Sequence, residues 1–242
     1  YKASVSENHE HVILIDYPSN IYTFSRMIGG DWKANLDIQS MPFTGIPTRV
    51  SISNDGFSAV ACELNSKCKV FSRAAIGNPW TEFTELTPLT ASYNQFGSSV
   101  SINNNHVFIC SSGWVNPVNA NGKLSVYDKN IGTNSYDFNN YELTSDDLQD
   151  VISPICTENG IQTKDDKIVL KHSVGIAIFN FDGTTATPFK YVSSDGLAGG
   201  ISTNGVSDIL TIQTIGSTSS PSYHLYRSVM DNPSDPTESP TE

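Results

Sequence analysis

Along the whole chain, apolar residues alternate with polar ones over short runs. The runs are separated by Asn, Gly, Ser and Asp. This is the pattern of half-buried strands joined by turns, and it carries no helical period. Two stretches repeat each other, FSRMIGGDW from Phe24 to Trp32 and FSRAAIGNPW from Phe71 to Trp80, with Arg26 and Arg73 set 47 positions apart. The echo is part of a longer unit. Five strand openings read SVSENHE from Ser4, RVSISNDG from Arg49, SVSINNN from Ser99, PICTENG from Pro154 and GISTNG from Gly200. Each is followed by an apolar strand (HVILIDY, FSAVACE, HVFICSS, KIVLKHS, DILTIQT) and then by one with alternating aromatics (IYTFSR, KVFSR, KLSVYDK, GIAIFNF, SYHLYRS). A fourth, more polar strand closes four units (DWKANLDIQ, WTEFTEL, DFNNYELT, ATPFKYV), and the fifth lacks it.

The opening positions Val5, Val50, Val100, Ile155 and Ile201 are spaced 45, 50, 55 and 46 residues apart. Four short antiparallel strands at this period predict an all-β fold, a β-propeller of about five four-stranded blades with the last incomplete. The blades fall at 3–45, 46–92, 93–148, 149–196 and 197–230, and 231–242 forms a Pro/Thr/Ser/Glu-rich tail. Composition within a unit follows position. An innermost strand crowds the axis and alternates Ser or Thr with Val or Ile. The middle strands are sandwiched between blades, and a polar outer strand suppresses stray pairing. Trp32 and Trp80 then occupy equivalent places packed between blades or over the outer strand, and Arg26 and Arg73 are repeat positions.

The clearest unit, YNQFGSSVSINNNHVFICSSG from Tyr93 to Gly113, resembles the FG-GAP type of propeller repeat, in which a Phe-Gly pair precedes a Ser-Val-x-Ile strand. The match covers about half a blade, and the preceding VFSRAAIGNPWTEFTEL is similar too; the other units are degenerate. The resemblance raises calcium, which some such propellers bind at Asp-rich turns. Here those turns read Asn54-Asp55-Gly56 and Asn103-Asn104-Asn105, without the row of carboxylates that a hard cation wants. No cofactor is expected on the residues alone, and calcium remains a suggestion of the resemblance.

Charge narrows the partners. A net −11 and a pI of about 4.7 repel nucleic acid and anionic membranes, leaving proteins, cations and neutral glycans. No apolar run reaches the length of a membrane span. With no initiator Met and no signal-like start, Tyr1 reads as the first residue of a processed or excised fragment. Of four cysteines, Cys62 and Cys68 in CELNSKC flank a short hairpin connection and predict a disulfide; Cys110 and Cys156 are candidates for a second, long-range bridge. Paired cysteines favour an extracellular, cell-surface setting. The tail DNPSDPTESPTE is either an O-glycosylated stalk or a disordered terminus, and it resembles linkers of cell-surface proteins of eukaryotic microbes. No N-x-Ser/Thr sequon occurs.

Catalytic motifs are absent: no G-x-S-x-G, no H-E-x-x-H among His9, His11, His106, His172 and His224, no phosphate-binding loop. Candidate acid pairs are Asp146, Asp147 and Asp150 in one connection and Asp165 with Asp166 in another, with solvated turns as the alternative. Asp182-Gly183 lacks the Ser and Trp of a sialidase box. One residue departs from the repeat: Trp114, in the long connection SSGWVNPVNANGK. With Phe43 and Tyr93 on neighbouring loops it forms a candidate aromatic binding face, unless it folds back over its own blade. These readings predict a non-enzymatic scaffold or adhesion propeller, open to self-assembly or filament formation through loop faces and an unfinished blade edge. The alternative is a lectin or glycoside-active propeller with a site on the axis.

Overall fold

The computed structural model describes residues 2–6, 10–16, 18, 20–26, 36–63, 67–88, 95–111, 123–130, 135–143, 160–164, 166–172, 175–193, 198–204, 208–215 and 222–229. Among these residues there is no helix, and hence none long and apolar enough to cross a membrane. The strands form five antiparallel sheets. The first runs β1 (Lys2–Val5), β2 (His11–Asp16), β3 (Asn20–Arg26), β4 (Leu36–Met41); the second β5 (Pro47–Ile52), β6 (Ser58–Glu63), β7 (Cys68–Ser72), β8 (Thr81–Leu86). The third contains β9 (Phe96–Ile102), β10 (His106–Ser111), β11 (Lys123–Asn130), β12 (Ser135–Leu143); the fourth β13 (Ile161–Lys164), β14 (Lys167–His172), β15 (Gly175–Phe181), β16 (Ala186–Ser193). The fifth has three strands, β17 (Ala198–Asn204), β18 (Asp208–Ile215) and β19 (Ser222–Val229). Within every sheet the strand order follows the sequence order. First strands pack in succession, β1 on β5, β5 on β9, β9 on β13 and β13 on β17. That is the arrangement of a β-propeller, and among the described residues its last sheet has three strands.

The fourth of the five openings, PICTENG with Ile155, lies outside the described residues up to Asn159. The first strand described in that sheet is Ile161-Gln162-Thr163-Lys164, which holds a single apolar residue.

Among the described residues, three apolar cores lie between sheets. Ile13, Ile15, Ile21 and Met41 of the first sheet meet Val50, Ile52, Ala59, Ala61 and Phe71 of the second. Val60, Cys62, Cys68, Val70 and Leu86 of the second meet Phe96, Val107, Ile109, Tyr127 and Tyr136 of the third. Phe108, Cys110, Leu124 and Val126 meet Ile161, Ile168, Leu170, Ala177 and Phe179 of the fourth. Because side chains alternate across a strand, a middle blade buries both faces at once. This accounts for the continuous burial of β6, β7 and β9.

The small hydroxyls of the Val-Ser-Ile strands also have a cause. Neighbouring first strands belong to different sheets and share no ladder, so amides on that side need other partners. Ser51 Oγ accepts from the Ile102 N–H at 3.2 Å, and Ser99 Oγ accepts from the Ile161 N–H at 3.1 Å. The Ser101 and Thr163 hydroxyls lie 2.8 Å apart, and Arg49 Nε donates to the Ser98 carbonyl at 2.7 Å. The second blade is thereby pinned to the third, and the third to the fourth, near the axis. Ser51→Ala orphans a buried amide and should cost about 1–3 kcal/mol in urea denaturation. Ser40→Ala, at an exposed position, should leave the midpoint in place.

Candidate functional site

Of the predicted aromatic face, Tyr93 and Trp114 lie outside the described residues. Phe43 is described, and it corrects the expectation. Its N–H donates to the Met41 carbonyl at 2.8 Å, a three-residue turn that directs the ring inward. Phe43 is 9% exposed and sits 6.2 Å from the Phe71 ring, in the core between the first two sheets. Its sequence position, just after an outer strand, suggested a loop tip; the turn makes it a wedge.

The most developed polar site lies at the same junction. His11 Nδ1 is 3.0 Å from Ser25 Oγ, which also accepts from Arg73 Nη2 at 2.6 Å. Arg73 Nε donates to the Gly56 carbonyl at 2.9 Å, and the guanidinium lies 4.7 Å over the Trp80 ring. Trp80 Nε1 donates across the junction to Thr23 Oγ1 at 2.8 Å. The Ser25 oxygen thus accepts from Arg73 while its hydroxyl and His11 Nδ1 share a second hydrogen bond, whose direction the imidazole tautomer sets. Gly56 has φ +71°, and a Cβ there would stand 2.5 Å from the imidazole, so only glycine fits. Burial, then the Arg73 charge, lowers the His11 pKa below its usual value, against smaller opposite effects from Glu10 and Asp55. A hydroxyl beside an imidazole is the geometry of a nucleophile and its base. Here Ser25 is 0% and His11 2% exposed, and the hydroxyl is engaged on both sides. The group clamps two blades together.

Carboxylates and turn amides are likewise committed to structure. Asp55 Oδ1 accepts from Ser53 Oγ at 2.6 Å and from the Phe57 N–H at 2.9 Å. Asn103 Oδ1 accepts from the Asn105 and His106 amides. These are side chains capping their own turns. Asp182 accepts from the amides and hydroxyls of both Thr184 and Thr185, which holds its carboxyl well below the usual range. Asp166 pairs with Lys167 Nζ at 2.9 Å. Asp165, Asp146, Asp147 and Asp150 lie outside the described residues. Among the described residues, no three His, Cys, Asp or Glu side chains gather as metal ligands.

Cys62 and Cys68 are paired cross-strand residues of β6 and β7 and form the predicted disulfide. Both are fully buried, facing the third sheet. Gly97 receives them: a Cβ there would lie 2.8 Å from Cys62 Cβ, and its φ of +82° suits glycine. This is the glycine of the quoted Phe-Gly pair. Cys110 is also disulfide-bonded; Cys156 lies outside the described residues.

No family model matches the chain, and no curated protein matches its sequence. Solved structures do. A functionally unknown protein from Desulfotomaculum acetoxidans aligns over 92% of this chain and 68% of its own, with a TM-score of 0.55 and 11% identity. The β-propeller domain of Myceliophteria thermophila Cps50 (Swd1) aligns over 87% of this chain and 65% of its own, with a TM-score of 0.56 and 6% identity. At these identities the likeness supports the propeller fold alone.

Two outcomes follow from the site. His106, between the Phe108 and Phe181 rings, is also lowered by burial. Two histidines kept neutral give stability that is fully present above about pH 6.5 and is lost as pH falls through their lowered folded values. Tm should therefore decline from pH 7.5 to 5, and His11→Gln should flatten part of that slope. Separately, Cys68→Ser, or reduction, should remove about 2 kcal/mol by the entropy of so short a loop, read as a lower denaturation midpoint.

Proposed function

We propose that the chain is a non-enzymatic extracellular scaffold or adhesion propeller of FG-GAP-like repeat type, contacting proteins or copies of itself through loop faces and a blade edge. The buried Cys62–Cys68 bridge is the observation that carries this reading, because such bonds persist in oxidising compartments. The acidic balance argues against polyanionic partners. The fifth sheet supports the mode of contact: its order is β17-β18-β19, so among the described residues β19 has a strand on one side. An edge of that kind accepts an added strand through main-chain hydrogen bonds. The polar groups measured above, His11 and Ser25 foremost, hold blades together and leave no exposed reactive pair among them.

Antibody raised to the chain should label intact, unpermeabilised cells, and the purified protein should bind no member of a glycan array. Labelling confined to the interior of permeabilised cells would overturn the extracellular assignment. Saturable glycan binding would move the protein to the lectin class.

A further inference from the structure

The two faces of the first sheet are treated differently. One carries Ile13, Ile15, Ile21 and Met41 into the core with the second sheet. On the other, Val5, Val12, Phe24 and Ile38 stand opposite one another in a single row across all four strands. Leu14 and Tyr22 form the adjacent row. Val5 is 52% and Ile38 56% exposed, and the remaining four are half-buried. A contiguous apolar row on a sheet face marks an interaction surface.

The rest of the molecule says what covers such a face. The corresponding faces of the second, third and fourth sheets are led by Phe71, Val107 with Ile109, and Ile168 with Phe179. Each is closed by the sheet that comes before it in the chain. The first sheet presents the same kind of face, and on it Val5 and Ile38 stand exposed. The solved structures that share the fold are longer than the matched part, which makes up 68% and 65% of their chains. The remainder of each amounts to roughly two blades at this period.

We propose that the Val5–Val12–Phe24–Ile38 face seats the apolar face of a preceding four-stranded blade. That blade is supplied by polypeptide on the N-terminal side of Tyr1, and the five sheets are consecutive members of a larger ring. The occupant is a β-sheet presenting Val, Ile, Leu or aromatic residues, since the row is apolar from β1 to β4. The inference is independent of the role proposed above.

The test compares Ile38→Glu in the full-length chain and in residues 1–242 alone. The expected result has three parts. The reading frame upstream of Tyr1 encodes further units opened by Val-Ser-Ile-like strands. Ile38→Glu lowers the Tm of the full-length chain by several degrees, and it shifts that of residues 1–242, where the side chain faces water, by about one degree or less. Val5→Ser, a milder change at the other end of the row, ranks the same way if the Glu variant fails to fold. Upstream sequence without such units, or equal shifts in both proteins, would overturn the proposal. So would self-association of the full-length chain that Ile38→Glu abolishes, which would assign the face to a second copy.

Discussion

A sheet of four short strands has two faces and cannot hide either by itself; every other property of this chain follows from the need to lay sheet upon sheet. Burial of β-branched and aromatic side chains between blades supplies the cohesion. Alternation along each strand makes one sequence serve two cores at once. The second and third blades show this most fully, with Val60 and Phe71, or Phe108 and Ile109, pointing to opposite neighbours. Polar residues enter these junctions only with partners. Arg73 reaches Ser25, Trp80 reaches Thr23, and Ser51 and Ser99 serve amides of the following blade. A buried donor without an acceptor would undo much of what the packing gains.

Much of this was written in the sequence because the constraint is periodic. The Val-Ser-Ile openings of the second and third units and the apolar second strands mapped onto sheets directly. Trp80 was legible as a packed repeat position, between blades or over the outer strand, because its partner stretch repeated it; it lies between the first two sheets. Cys62 and Cys68 were legible because a hairpin forces residues at its ends into register. Where the period weakens, reading is harder: β13 holds one apolar residue and so carries little of the strand pattern. Phe43 was misread for another reason. Loop residues are assumed to face water, whereas a single Met41–Phe43 hydrogen bond reverses the ring. The His11–Ser25–Arg73 group was invisible in advance, since its members come from three strands or strand ends 14 and 48 positions apart. The one usable signal was Arg73 itself, a charged residue that the repeat sets at the position of Arg26.

The polar network and the functional reading bear on each other. A hydroxyl next to an imidazole invites a catalytic interpretation until exposure and bond saturation are counted. Here both argue for a fastening, and the same holds for the Asp55, Asn103 and Asp182 turns. Among the described residues, the His11, Ser25, Arg73, Asp55, Asn103 and Asp182 side chains are occupied in shaping the fold.

Gly97 carries one more implication. Lacking a side chain, it lets the sulfur bridge of the second blade rest flush against the first strand of the third, and both cysteines are sealed from water there. An oxidant or an exchange enzyme needs access to the thiols. The bond must therefore form while the third blade is still undocked, so the order of assembly is covalent closure of the hairpin first and stacking afterwards. A chain stacked before oxidation would carry its two thiols shut inside a seam.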